Sequence, residues 1–118
     1  MNYEEKRTEF LNTLHPGDFV SWTTFDGSSV YEVELVTDTQ IILKSEHGSN
    51  KSIWPRSGKV HRDYYGGFDE KLGPPSDTAV EYFLRRRHRR NLEPLMTNMT
   101  ADQLERTLVS VLDILGSP

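Results

Sequence analysis

Apolar residues change their spacing along this chain, and each change marks a different kind of element. Within residues 2–14 they recur at helical spacing, which predicts a short amphipathic helix. Pro16 and Gly17 follow at once, so the helix is expected to end before them. The apolar residues of this helix are Tyr3, Phe10, Leu11 and Leu14.

A strand pattern with a turn signal comes next. Residues 19–23 are rich in aromatic and β-branched side chains, as strands are. Asp26 and Gly27 are typical of a tight turn, and residues 30–36 then alternate between apolar and polar types. The two segments are therefore predicted to pair as a hairpin.

The alternation also predicts which side chains are buried, because successive residues of a strand point to opposite faces. Glu32 and Glu34 are expected to face water. Residues 40–44 and 51–54 form further strands, with Pro55 closing the last, and residues 60–61 form a short fifth fragment. The expected core consists of Phe19, Tyr31, Val33, Leu35, Ile41 and Leu43.

The order of these segments resembles a small Src-homology-3-like barrel of the Tudor or KOW kind. The similarity is carried by the segments 15–20, 26–27, 31–33 and 41–43, with the sequences HPGDFV, DG, YEV and IIL. It covers about residues 15–62, half of the chain. Members of this fold bind nucleic acids, peptides or other proteins, so the resemblance implies a binding module without choosing its ligand.

Two helices are predicted after the strands. Thr78 and Glu81 fit a capping box, and the helix that they open should end near Leu92, before Pro94. A second capping box lies at residues 100–103 and opens a helix that Gly116 ends. The predicted organisation is a helix over 1–14, a barrel over 15–65, a linker over 66–76 and a helical hairpin over 77–118. The fold class is thus α+β, a small antiparallel β-barrel with one N-terminal and two C-terminal helices.

Composition argues against several functional classes. The 118 residues include no cysteine, which excludes disulfides and cysteine-ligated metals. The four histidines have no metal-ligand spacing, and there is neither a phosphate-binding loop nor a nucleophile elbow. We therefore predict a protein that is not an enzyme and that needs no metal or cofactor. No signal peptide or membrane span is visible, which favours the cytoplasm.

Basic residues form two stripes although the net charge is −4. Residues 85–90 hold five arginines, and four of them share one flank of the predicted helix. Guanidinium groups bind phosphate two oxygens at a time. The expected nucleic-acid-binding residues are Arg85, Arg86, Arg89 and Arg90 on this helix, with Lys51, Trp54, Arg56, Lys59 and Arg62 extending the track. Trp54 would stack on bases, or would instead close the barrel.

The favoured hypothesis is therefore an accessory module that binds DNA or RNA weakly and in a salt-sensitive manner. The rival is a protein-interaction module, such as a small regulator of the kind that phages and mobile elements carry. The last helix supports the rival because its apolar residues form one stripe. That stripe would pack on the rest of the chain or would join two copies through Leu104, Leu108, Val111 and Leu115. The arrangement of charges on the folded surface distinguishes the two hypotheses. Acidic residues that interrupt the basic stripes would favour protein interaction.

Overall fold

A computed structural model describes residues 2–45, 51–63 and 66–116 of the chain. The chain divides into two compact units, Met1–Glu81 and Tyr82–Pro118, and the second helix passes from one to the other. The predicted barrel boundary at residue 65 lies outside the described residues. The elements are α1 (Tyr3–Asn12), β1 (Phe19–Thr24), β2 (Gly27–Val36), β3 (Gln40–Leu43), β4 (Ser52–Pro55), β5 (Lys59–Arg62), β6 (Phe68–Gly73), α2 (Asp77–Thr97) and α3 (Ala101–Ile114).

Six antiparallel strands form a nearly closed barrel in the first unit. Their order is β4-β3-β2-β1-β6-β5, and β4 and β5 at the two ends approach each other. The first hairpin turns at Phe25 and Asp26, with Thr24 paired to Gly27 across it. The predicted turn and the predicted α+β class, a small barrel with one helix before it and two after it, are both confirmed.

A bulge at Glu34 corrects the predicted burial of β2. Val33 pairs with Leu43 of β3, but Leu35 is the next residue to find a partner, so one residue is left over. The extra residue reverses the inward and outward positions that follow it. Leu35 is consequently 46% exposed, and the expectation that it lies in the core is wrong. Val36 packs against the core in its place.

Glu32 is a second correction on the same strand. It was expected in water, yet it is buried, and its carboxylate forms an ion pair with the ammonium group of Lys44. A buried charge needs such a partner. Tyr31 and Phe19, both expected in the core, are only half-buried, although Tyr31 does pack against it.

The segment 66–76 is not the predicted linker, because residues 68–73 form the strand β6. This strand pairs with β1 on one side and with β5 on the other, and the side chain of Leu72 is fully buried. Its sequence, FDEKLG, has one aliphatic residue, which is too little apolar pattern to indicate a strand.

The core lies between the barrel strands and α1. The expected members Val33, Ile41 and Leu43 are confirmed, each with no exposed surface. The full buried apolar set is Leu11, Leu14, Val20, Val33, Ile41, Leu43, Trp54 and Leu72.

Of the two C-terminal helices, α2 differs more from the prediction than α3. This helix continues through Pro94 to Thr97 instead of ending near Leu92. It is capped by Ser76, whose hydroxyl accepts a hydrogen bond from the backbone N–H of Ala79, and not by Thr78. The predicted capping box at Thr100 is confirmed, and α3 follows from it. None of the helices in the described part of the chain is long and apolar enough to cross a bilayer.

Candidate functional site

The arginine cluster lies on the third and fourth turns of α2. Arg85, Arg86 and Arg89 are exposed, and none of the three has an acidic partner within the described residues. The guanidinium of Arg86 lies over the ring of Tyr82, 5.6 Å from its centre. Arg90 is half-buried. The predicted basic flank thus exists as a local feature of this helix.

Arg87 points to the other side of α2 and does not join this flank. Its guanidinium lies 4.5 Å from the centre of the Phe83 ring, and both side chains are half-buried. A cation over an aromatic face is attracted by the ring quadrupole, so Arg87 is accommodated at the apolar edge of the helix.

The second basic stripe is interrupted by acids from β2 and β6. The ammonium of Lys51 lies 2.8 Å from a carboxylate oxygen of Glu34, and that of Lys59 lies 3.2 Å from Asp69. Arg62 forms an ion pair with Glu70. Their charges are therefore compensated within the barrel, and they do not present a continuous track for a polyanion.

Arg56 is a half-buried member of this stripe that shows no such pair. Its Nη1 atom is buried and makes no hydrogen bond within the described residues. The buried Nη1 atom is therefore not available to an external phosphate. Of the four cations in the stripe, none is both exposed and without a partner.

Trp54 belongs to the core, and the expectation that it stacks on bases is not supported by its position. Its side chain is 3% exposed, and it pairs with Ile41 across β3 and β4. Its ring meets that of Trp22 edge to face, with 5.0 Å between centres. Trp22 also lies 5.1 Å from the ring of Tyr31. Of the two alternatives for Trp54, stacking on bases or closing the barrel, these contacts support the second.

Glu70 connects the core aromatics with the basic stripe. One carboxylate oxygen accepts a hydrogen bond from Nε1 of Trp22 over 3.0 Å, and the other pairs with Arg62. Burial alone would raise the pKa of Glu70, but the hydrogen bonds from Arg62 and Trp22 outweigh burial and hold the pKa below its ordinary value. Glu70 is thus a charged side chain that joins Trp22 to Arg62.

Asp69 and His61 form a neighbouring exposed pair, in which His61 Nδ1 lies 2.9 Å from Asp69 Oδ1. Hydrogen bonds from His61 and then from Lys59 lower the pKa of Asp69. Within residues 2–45, 51–63 and 66–116, no three His, Asp or Glu side chains are grouped so that they could hold a metal ion.

The two C-terminal helices also carry exposed apolar side chains. The predicted stripe of α3 is exposed, from 38% at Leu104 to 74% at Leu115. The end of α2 adds further exposed residues. We call this set the C-terminal apolar surface: Leu92, Leu95, Met96, Leu104, Leu108, Val109, Val111, Leu112, Ile114 and Leu115.

Sequence reasoning found only half of this surface. The stripe on α3 follows from its three-and-four spacing, but Leu95 and Met96 of α2 lie beyond Leu92, where that helix was expected to end. Pro94 misled the prediction because proline usually breaks a helix. The signal that could have found them is the repeat of apolar positions at 92, 95 and 96.

Comparisons of this chain with protein-family models, with curated proteins and with solved structures find no match.

Proposed function

We propose that this protein is a non-enzymatic interaction module that binds a protein partner through the C-terminal apolar surface. The observation that carries the proposal is the exposure of ten aliphatic residues on two consecutive helices. A soluble monomer rarely exposes an apolar patch larger than a few hundred Å². Surfaces of this kind on amphipathic helices dock into other proteins through residues at three-and-four spacing.

The interruption of the basic stripe also supports protein interaction. Three of its four cations are paired with Glu34, Asp69 and Glu70 inside the barrel unit. A module of this size that bound a polyanion along its barrel would need those charges to be available. In this proposal, the barrel is the folded domain to which the partner-binding helices are attached. Its kinship to Src-homology-3-like barrels and its place in the cytoplasm, which a cysteine-free chain suits, are parts of this proposal.

Site-specific photo-crosslinking in cells tests the proposal. A photoreactive residue in place of Leu108 lies on the C-terminal apolar surface, which is covered if the proposal is correct. The matched control replaces Ser110, which lies on the other side of the same helix. We expect a crosslinked adduct containing a second polypeptide from position 108 and little from position 110. Equal yields, or none at either position, would overturn the proposal.

Binding of DNA or RNA through α2 is the second candidate function. It is favoured by the exposure of Arg85, Arg86 and Arg89, none of which forms an ion pair in the described part of the chain. Like charges one turn apart repel each other, and an anionic ligand would remove that repulsion. Without the second stripe, only this helix would contact phosphates. The expected affinity is therefore weak and strongly dependent on salt.

A further inference from the structure

Helices α2 and α3 carry charged and apolar residues at the same spacing. On α2, Arg89 is followed by Leu92 and Met96, at steps of three and four. On α3, Glu105 is followed by Leu108 and Leu112 at the same steps. Residues spaced in this way share one face of a helix. The two faces are similar in their apolar part and opposite in the charge that precedes it.

The net charges of the whole helices are also opposite. Helix α2 contains five arginines and three acids, and α3 contains one arginine and three acids. Within α3, Arg106 is paired with Asp102 over 2.8 Å, which leaves Glu105 and Asp113 without a basic partner in the described residues. A basic helix and an acidic helix attract each other across an interface and thereby fix which surfaces meet.

These faces do not cover each other within one chain. The link between α2 and α3 is three residues long, and within the described residues the two helices do not pack along each other. Their contact is local, where the Thr107 hydroxyl lies 3.5 Å from the sulfur of Met99. Leu92 and Leu108 therefore remain 43% and 57% exposed.

The exposed apolar area is comparable in size with a standard interface. The ten residues of the C-terminal apolar surface expose the equivalent of roughly five whole apolar residues. This corresponds to an area on the order of 1,000 Å², compared with about 800 Å² per partner in a standard interface. Two-fold symmetry would use the same surface on both copies and form each contact twice.

We propose that the occupant of this surface is a second copy of the chain, with α2 of each copy packed on α3 of the other. The inference rests on the proposed function and names the partner. The apolar residues of both helices form the centre of the contact. Arg85 and Arg89 of one copy lie beside the acidic residue Glu105 of the other.

Sedimentation equilibrium of the purified chain tests the dimer. We expect wild type to be dimeric and Leu108→Glu to be monomeric, with the circular dichroism of the barrel unchanged. Ser110→Glu, which adds the same charge to the other side of α3, should remain dimeric. A wild-type chain that stays monomeric at every concentration overturns the inference, and so does a dimer that Leu108→Glu leaves intact.

A charge exchange tests which helices meet. One variant carries Arg85→Glu and Arg89→Glu, and the other carries Glu105→Lys. Each alone should dimerise at least tenfold more weakly than wild type, because like charges then face each other in both contacts. Mixing the two should restore a heterodimer, in which both contacts regain opposite charges. If the mixture associates no better than its components, α2 and α3 do not meet across the interface.

These experiments distinguish failure of the proposed function from failure of the proposed dimer. A monomeric purified chain whose position 108 still crosslinks to a different polypeptide in cells retains the proposed function and loses the dimer. Absence of crosslinks at position 108 from a monomeric chain removes both.

Discussion

The Nη1 atom of Arg7 donates a hydrogen bond to the backbone carbonyl of Leu72 over 3.1 Å. The same nitrogen donates to the carbonyls of Ser57 and Gly58, over 3.1 and 3.4 Å. Arg7 is 6% exposed, and its Nε atom pairs with Glu4. One side chain of α1 thereby joins the helix to the β4–β5 turn and to the end of β6.

Replacing Arg7 by Met should destabilise the barrel by about 2–4 kcal/mol, because buried carbonyl oxygens then lose their donor. Urea unfolding followed by tryptophan fluorescence measures the change. The control is Lys6→Met, which removes one exposed positive charge from the adjacent position and should alter the free energy of unfolding by less than about 0.5 kcal/mol. If both variants unfold at the same urea concentration, the role assigned to Arg7 is wrong.

The bulge at Glu34 predicts opposite effects for two neighbouring substitutions. Val33→Asp places a charge at a fully buried position and should cost several kcal/mol, enough to unfold much of the protein. Leu35→Asp, at a position 46% exposed, should leave the chain folded. Thermal melts of both variants check this. A folded Val33→Asp protein would contradict the barrel core, and an unfolded Leu35→Asp protein would contradict the bulge.

Gly58 is expected to tolerate no side chain. Its φ is +66°, and a Cβ atom there would lie 2.8 Å from Cδ1 of Leu11, so Gly58→Ala combines backbone strain with a clash against α1. We expect a loss of about 2–3 kcal/mol. Gly17→Ala is the control: its φ is +94°, but no atom lies within 4 Å of the added Cβ, so about 1 kcal/mol should be lost. Equal losses in chemical denaturation would exclude the clash.

Glu70 should make the stability of the barrel depend on pH. Its pKa is lowered in the folded protein from an ordinary value of 4.5, so the charged form stabilises the fold at neutral pH. This stabilisation is complete above pH 4.5 and is lost as the pH falls through the folded value. Glu70→Gln should therefore be less stable than wild type at pH 7, and the difference should shrink in acid.

Urea unfolding at several pH values measures this difference. The control is Glu9→Gln, since Glu9 is an exposed carboxylate of α1 with no partner in the described residues. A gap between wild type and Glu70→Gln that does not change between pH 7 and acid would refute the assignment.

Nucleic-acid binding can be tested by fluorescence anisotropy with labelled duplex and single strands at low salt. If about four phosphates are neutralised, log K should fall with log salt at a slope near −3.6 for duplex DNA. Neutralising Arg86 and Arg89 with Gln should reduce the slope by about 2. Lys51→Gln with Lys59→Gln changes the net charge equally and should have little effect, because those charges are already paired. Absence of binding at low salt would eliminate this function.

Local signals in the sequence determined much of the fold. The alternation on β2, the turn before Gly27 and the capping box at Thr100 depend on residues within a few positions of one another. They can therefore be predicted from the sequence. The stripe on α3 is a signal of the same kind, and it identified half of the candidate site.

Long-range contacts decided the remainder. Sequence spacing alone does not indicate that Glu34 and Asp69 neutralise Lys51 and Lys59, since these partners are distant in the sequence and meet only when the sheet forms. The strand β6 exists because β1 and β5 supply its hydrogen bonds, although its own apolar pattern is weak. The position of Trp54 was open for the same reason: a ring beside basic residues is buried or exposed according to the strands that surround it.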